Sequence, residues 1–128
     1  MIHGIGIDLV DVRRMQENIE RFGERFAGKI LSTSEMLEYS KINKPASFLA
    51  RRFAAKEALA KALGTGFNNG VTLKNITISH GLDGQPAINC AGKMLEIMSL
   101  QGISSSHLTI TDEKDYACAC VILEKPPV

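Results

Sequence analysis

Near the start of the chain, apolar and small residues alternate. Ile5, Ile7 and Leu9 fall on one face of a strand, and Gly4, Gly6 and Asp8 on the other. The second face is nearly bare of side chains. Asp8 interrupts an apolar run, where a buried carboxylate is costly unless a partner or a metal meets it. Behind Asp11 as N-cap, Val12, Met15, Ile19, Phe22 and Phe26 recur at helical spacing, and Gly23 and Gly28 leave the far end of that helix open. Ser32 and Glu35 stand at capping-box spacing and start a further short helix. Pro45 opens the approach to a long helix, "SFLARRFAAKEALAKALGTG", rich in Ala, Leu, Lys and Glu and stopped by Gly64 and Gly66. Beyond it "TLKNITISH" reads as a strand, "GLDGQP" as a turn, "AINC" as a short strand, and "GKMLEIMSLQG" as a helix closed by Gly102. The last stretch, "HLTITDEKDYACACVILE", reads as a β-hairpin turning near Asp112 to Asp115.

Helices mixed with adjacent antiparallel strands predict an α+β fold. The 128 residues contain no repeat or linker, so residues 1–128 read as a single compact domain with an antiparallel sheet and a long central helix. Composition is that of an ordinary globular protein, 45% hydrophobic and 23% charged, and a net charge of +1 gives no global pull toward nucleic acid or membrane. Any electrostatic recognition is therefore local. Cys90, Cys118 and Cys120 lack paired metal-ligand spacing, no apolar run is long enough for a bilayer, and no secretory signal is evident. These features predict a reduced, cytoplasmic protein with its cysteines packed as small apolar side chains in the core.

Chemistry concentrates where the bare-faced strand would meet the long helix. Glu57 and Lys61 are four residues apart and share a helix face, with Ala50, Ala54 and Ala58 as small neighbours that let another element approach. Spacing alone decides nothing, since a solvent-exposed ion pair, the commoner case, has the same spacing. Asp8, likewise, is either a turn acid before the first helix or a ligand. If its strand packs beside the Glu57 helix, two carboxylates and a lysine converge, the composition of a Mg²⁺ site completed by water and substrate phosphate. A dinucleotide fingerprint is disfavoured, because "GIGIDL" has Leu9 where GxGxxG requires its third glycine.

Three stretches, "GIGIDLVDVRR", "FLARRFAAKEALAKALGTG" and "LTITDEKDYACACVIL", in this order over nearly the whole length, resemble the bacterial holo-acyl carrier protein synthases, the small trimeric type of phosphopantetheinyl transferase. The resemblance implies a 4′-phosphopantetheinyl transferase-like fold. It also implies transfer of 4′-phosphopantetheine from coenzyme A to a serine of apo-acyl carrier protein, with release of adenosine 3′,5′-bisphosphate, in support of fatty acid biosynthesis. A homotrimer with active sites between neighbouring subunits is implied as well.

By the same resemblance, Asp8 and Glu57 match the family's two Mg²⁺ ligands, and Lys61, one turn beyond Glu57, is placed to reach the diphosphate. The serine proton would go to Glu57 or to a metal-bound water, the water being preferred because a carboxylate committed to a cation is a poorer base. Gly64, Thr65 and Gly66 belong to the coenzyme A pocket, although a plain helix C-cap explains the glycines equally well. Arg52 and the "GQP" stretch at Pro86 are further nucleotide candidates. Where the family often carries a histidine on the nucleotide's 3′-phosphate, this chain has Asp112, so another cation must make that contact or it is absent. His107, five residues earlier, reads as a surface or strand-start residue. On the first helix Arg14, Arg21 and Arg25 form one stripe at 100° per residue, and Glu17, Glu20 and Glu24 another. The stripe is either a solvated face or, as the resemblance implies, the contact for an acidic acyl carrier protein. From a different class, a small α+β interaction domain with no chemistry would need Asp8 and Glu57 to lie far apart.

Overall fold

The computed structural model describes residues 1–67 and 71–127. The first strand, β1 (Ile2–Asp11), leads into α1 (Val12–Phe22), and Asp11 caps that helix by accepting from the Arg13 backbone N–H. Gly23, at φ 64°, breaks the helix, so the apolar spacing continues in a separate α2 (Glu24–Ile30). Next come α3 (Thr33–Tyr39), whose Ser32/Glu35 capping box is formed in both directions, and α4 (Pro45–Leu63) with Pro45 in its first turn. Gly64 ends α4 in the left-handed conformation, at φ 80°, and its N–H reaches Ala60 O and Lys61 O. The "TLKNITISH" strand is shorter than the sequence suggests. Leu73–Asn75 form a 3₁₀ turn, and β2 (Ile76–His80) then pairs with β3 (Pro86–Cys90). Next, α5 (Gly92–Leu100) precedes the hairpin of β4 (Ser105–Asp112) and β5 (Tyr116–Glu124).

The strands make two antiparallel sheets, one ordered β1-β5-β4 and one of β2-β3. The core lies between the larger sheet and α4. Ala117, Ala119, Val121 and Leu123 of β5 and Ala54, Ala58 and Leu59 of α4 are almost wholly buried. β1 crosses α4 on its glycine face. A Cβ placed on Gly6 would lie 1.8 Å from Ala58 O, and one on Gly4 2.0 Å from Ala62 O, so only glycine permits this approach. The bare face inferred from the sequence is thus the packing face.

The expectation that Cys118 and Cys120 pack in the core fails, for a reason that β1 shares. Ile5, Ile7 and Leu9 do not enter the core; they are 60%, 59% and 65% exposed on the outer side of the sheet. Cys118 and Cys120 alternate with the buried Ala117 and Ala119, so they share that outer side and are half-buried rather than core. A strand buries one face, and here the small residues claimed it.

A network of buried charges ties the smaller elements to α4. Glu35 accepts from Lys56 Nζ at 2.6 Å, Arg52 Nη1 at 3.1 Å, Ser32 N at 2.9 Å and Ile78 N at 3.1 Å. Burial alone would raise its carboxyl, but the Lys56 ammonium and the two backbone donors bring it below the ordinary carboxylate value. Arg52 also donates to Ile78 O and to Glu38 at 2.9 Å.

Candidate active site

Asp8 sits on the glycine face of β1, opposite Ala119 of β5, and its side chain is largely buried. Because Gly6 seats β1 against α4, the carboxylate comes within reach of the helix. Lys61 Nζ donates to Asp8 Oδ1 at 2.9 Å and to the Ile7 carbonyl at 2.9 Å. The lysine therefore bridges strand and helix instead of pairing with Glu57 along α4. Glu57, one turn earlier, is half-buried and takes no hydrogen bond or ion pair among the described residues. Its carboxyl is raised above the ordinary value, first by burial and then by the neighbouring negative charge of Asp8, and Lys61 offsets this only partly. Two carboxylates and a lysine thus converge, and the turn-acid reading of Asp8 gives way.

Asp8 and Glu57 line a groove of about 410 Å³. Its apolar lining comes from Met15 of α1, Phe26 and Ile30 of α2, Phe53 of α4 and Leu73 of the 3₁₀ turn, and Asp11, Arg14, Asn18 and Lys29 line it too. The donor set suits Mg²⁺: two carboxylates, one of them without a protein partner among the described residues, facing a space that leaves room for water and phosphate oxygens. Among the described residues no cluster of three or more His, Cys, Asp or Glu could hold a metal by protein ligands alone, so any such ion would draw its remaining ligands from water or substrate.

The other candidates are placed unequally. Gly64 and Gly66, both at positive φ, follow directly on the Lys61 turn, and a Cβ at either would meet nothing within 4 Å. The C-cap is formed, and the backbone from Gly64 through Thr65 to Gly66 is open to a ligand. Pro86 starts β3 and lines a cleft of about 420 Å³ with Gln85, Ser106 and His107, which shares no lining residue with the Asp8 groove. Arg52 is corrected outright. It is 4% exposed, and its guanidinium is turned inward to Glu35, Glu38 and Ile78 O, away from any surface a nucleotide could reach. Its neighbour Arg51 is the accessible one, 2.8 Å from Ser47 Oγ and 3.6 Å from Asp112 Oδ2, in the wall of a large open groove with Lys44 and Lys114. Sequence reasoning missed Arg51 because α4 is buried on nearly every side, so its apolar pattern has no polar stripe to tell adjacent arginines apart.

Arg14 and Arg21 project from α1, with Arg21 stacked over Phe22 at 5.2 Å. Arg25 belongs to α2, because the Gly23 break ends the phase on which the three-residue stripe was drawn. His107 pairs with Glu124 at 2.5 Å on the outer sheet face, as a surface strand residue.

Residues 4–121 match the family model of the 4′-phosphopantetheinyl transferase superfamily, which sets the class of protein. A holo-[acyl-carrier-protein] synthase of Halorhodospira halophila is 49% identical over 123 residues, covering 96% of this chain and 98% of that protein. The crystal structure of the corresponding synthase from Neisseria meningitidis superposes with a TM-score of 0.93 at 43% identity, covering 98% of this chain and 100% of that one. The Helicobacter pylori synthase, solved in complex with coenzyme A, superposes at 0.82 with 32% identity, covering 94% of this chain and 99% of that one. The chain belongs to the 4′-phosphopantetheinyl transferase superfamily, as an enzyme of its holo-[acyl-carrier-protein] synthase branch. The reading as a catalytically inert interaction domain is thereby excluded.

Proposed function

We propose that this enzyme transfers 4′-phosphopantetheine from coenzyme A to a serine of an acidic apo-acyl carrier protein in a Mg²⁺-dependent reaction. The observation that carries this reading is the convergence of Asp8 and Glu57 in a groove that Arg14 also lines, with Lys61 bonded to Asp8. The serine hydroxyl attacks the β-phosphate of coenzyme A in line. The new O–P bond forms as the bond to the bridging oxygen breaks, and adenosine 3′,5′-bisphosphate leaves with the electron pair. Asp8 and Glu57 would hold Mg²⁺, which when bound neutralises diphosphate charge. Lys61 contributes a point charge from the same turn. The hydroxyl proton passes to a water in the groove, since a carboxylate engaged by a cation is a poor base.

The open backbone of Gly64, Thr65 and Gly66 and the cleft at Pro86 are assigned to coenzyme A. Arg51, held by Asp112, is assigned to the 3′-phosphate in place of the family histidine. Its replacement by Ala should raise KM for coenzyme A and leave that for the 3′-dephospho form unchanged. Arg14 and Arg21, with Arg25 from α2, are assigned to the acidic carrier. The exposed row of Ile5, Ile7 and Leu9 supports a contact between copies of the chain, in keeping with a homotrimer whose active sites lie between subunits. No helix among the described residues is long and apolar enough to cross a membrane. We place the enzyme in the cytoplasm, serving fatty acid biosynthesis. Incubating the protein with coenzyme A, Mg²⁺ and apo-acyl carrier protein should add the phosphopantetheine mass to the carrier. A carrier of unchanged mass, with and without Mg²⁺, would refute the reading.

A further inference from the structure

Lys56 adjoins Glu57 in the chain but lies about 100° away around α4, on the side opposite the solvent. It is fully buried and touches none of the reacting groups. Besides Glu35, its ammonium binds two main-chain carbonyls, Ile30 O at 2.6 Å and Leu73 O at 3.1 Å. Ile30 is the last residue of α2, and Leu73 opens the 3₁₀ turn. Both residues also line the Asp8 groove, as Glu57 does. One ammonium thus holds two wall segments that are more than forty positions apart in the chain against the helix that carries the catalytic carboxylate.

We propose that Lys56 is a positioning residue for the acceptor: by clamping the Ile30 and Leu73 carbonyls it sets the width of the groove through which the carrier's serine reaches Glu57. This rests on the reading of that groove as the acceptor's route. Glu35 balances the lysine's charge but does not touch either carbonyl, so the clamp and the charge pair can be separated. The Lys56→Met change alone leaves Glu35 facing one cation fewer in a buried site, and folding can fail for that reason. The E35Q/K56M double variant removes one charge of each sign and leaves Arg52 paired with Glu38.

The test measures carrier KM, kcat and the dissociation constant of coenzyme A in Mg²⁺ for wild type and for E35Q/K56M, with circular dichroism and thermal melting as the check of fold. The expected result is a folded double variant whose KM for apo-carrier rises tenfold or more, while its coenzyme A affinity stays within twofold of wild type. A folded double variant with a wild-type carrier KM overturns the proposal. So does one that loses coenzyme A affinity and carrier KM in equal measure, since that is a general loosening. A double variant that does not fold shows that Lys56 acts as a stability element, and it too overturns the assignment. If wild type itself shows no transfer, the reading of function fails instead, and the two failures are told apart in the same assay.

Discussion

Lys61 Nζ stands 2.9 Å from Asp8 Oδ1, linking the last full turn of α4 to the middle of β1 across 53 positions of sequence. The pair takes up one carboxylate oxygen of Asp8, so a cation binding between Asp8 and Glu57 has to share that carboxylate with the lysine. Asp8→Ala and Glu57→Ala should each abolish transfer, whereas Lys61→Ala should lower kcat with Mg²⁺ activation retained. Arg14→Ala, in the groove's lining, should act chiefly on the carrier's KM, and that KM should rise with ionic strength as exposed pairs are screened over about 8 Å at physiological salt. Steady-state kinetics of the four variants checks the roles. Equal loss of kcat in all of them would mean that the roles are misassigned.

The seating of β1 on α4 gives a second expectation. Gly6→Ala would push a methyl to 1.8 Å from the Ala58 carbonyl and 2.7 Å from Ala62 N, and neither backbone atom can move without displacing the helix. Overpacking of this kind costs roughly 3 kcal/mol, and the shift it forces carries Asp8 away from Glu57. Stability measured by urea unfolding should fall, with activity falling beside it. Gly28→Ala in α2 is the control. Its Cβ meets nothing within 4 Å, and alanine is favoured in a helix by up to ~1 kcal/mol, so stability should hold or rise.

Much of this was legible in the sequence, and the gaps have physical causes. The long helix, its glycine stop, the Ser32/Glu35 capping box and the terminal hairpin follow from local rules that tertiary contacts did not override. The pairing of a bare-faced strand with an alanine-rich helix was also readable, because close approach needs small residues on both partners. Periodicity could not say which face of β1 is buried, since it reports two faces without naming what covers either; the apolar one turned outward. The break at Gly23 was visible only as an uncertainty. In α4 the surrounding elements bury almost every side, so Arg52 and Lys56 look like surface cations in the sequence and are core ions in the fold.

Glu35 is the centre of that buried network, and its removal should be costly. Glu35→Ala leaves Lys56 and Arg52 without their shared carboxylate, which predicts a loss of roughly 3–5 kcal/mol. The Glu38 carboxylate is half-exposed, so Glu38→Ala should cost no more than about 1 kcal/mol. The sign with pH follows from the lowered carboxyl of Glu35. A carboxyl depressed on folding contributes stability that is present above its unfolded pKa and lost as pH falls through the folded one. The gap between wild type and Glu35→Ala, measured by denaturant unfolding, should therefore be full at neutral pH and narrow on acidification below the ordinary carboxylate range. A gap that does not change down to strong acid would show that Glu35 acts by packing alone.

Glu57 has the opposite sign, and this separates its chemical role from any structural one. Burial and the charge of Asp8 raise its carboxyl, so the folded protein binds that proton more tightly than the unfolded chain does. The favourable contribution is present below the unfolded pKa and is lost as pH rises through the folded one, so once ionised Glu57, which has no partner among the described residues, is a cost to the fold. Glu57→Gln should accordingly melt higher than wild type at neutral pH without Mg²⁺, and the advantage should vanish once the solution is acidic enough to protonate the carboxyl. Adding Mg²⁺ should raise the wild-type Tm, by linkage worth about 2.7 kcal/mol at a hundredfold excess over Kd, and leave the variant nearly unmoved. Transfer by the variant should be lost throughout. A Glu57→Gln protein less stable than wild type at neutral pH would make Glu57 a structural residue, and an equal response of both proteins to Mg²⁺ would put the ion somewhere other than between Asp8 and Glu57.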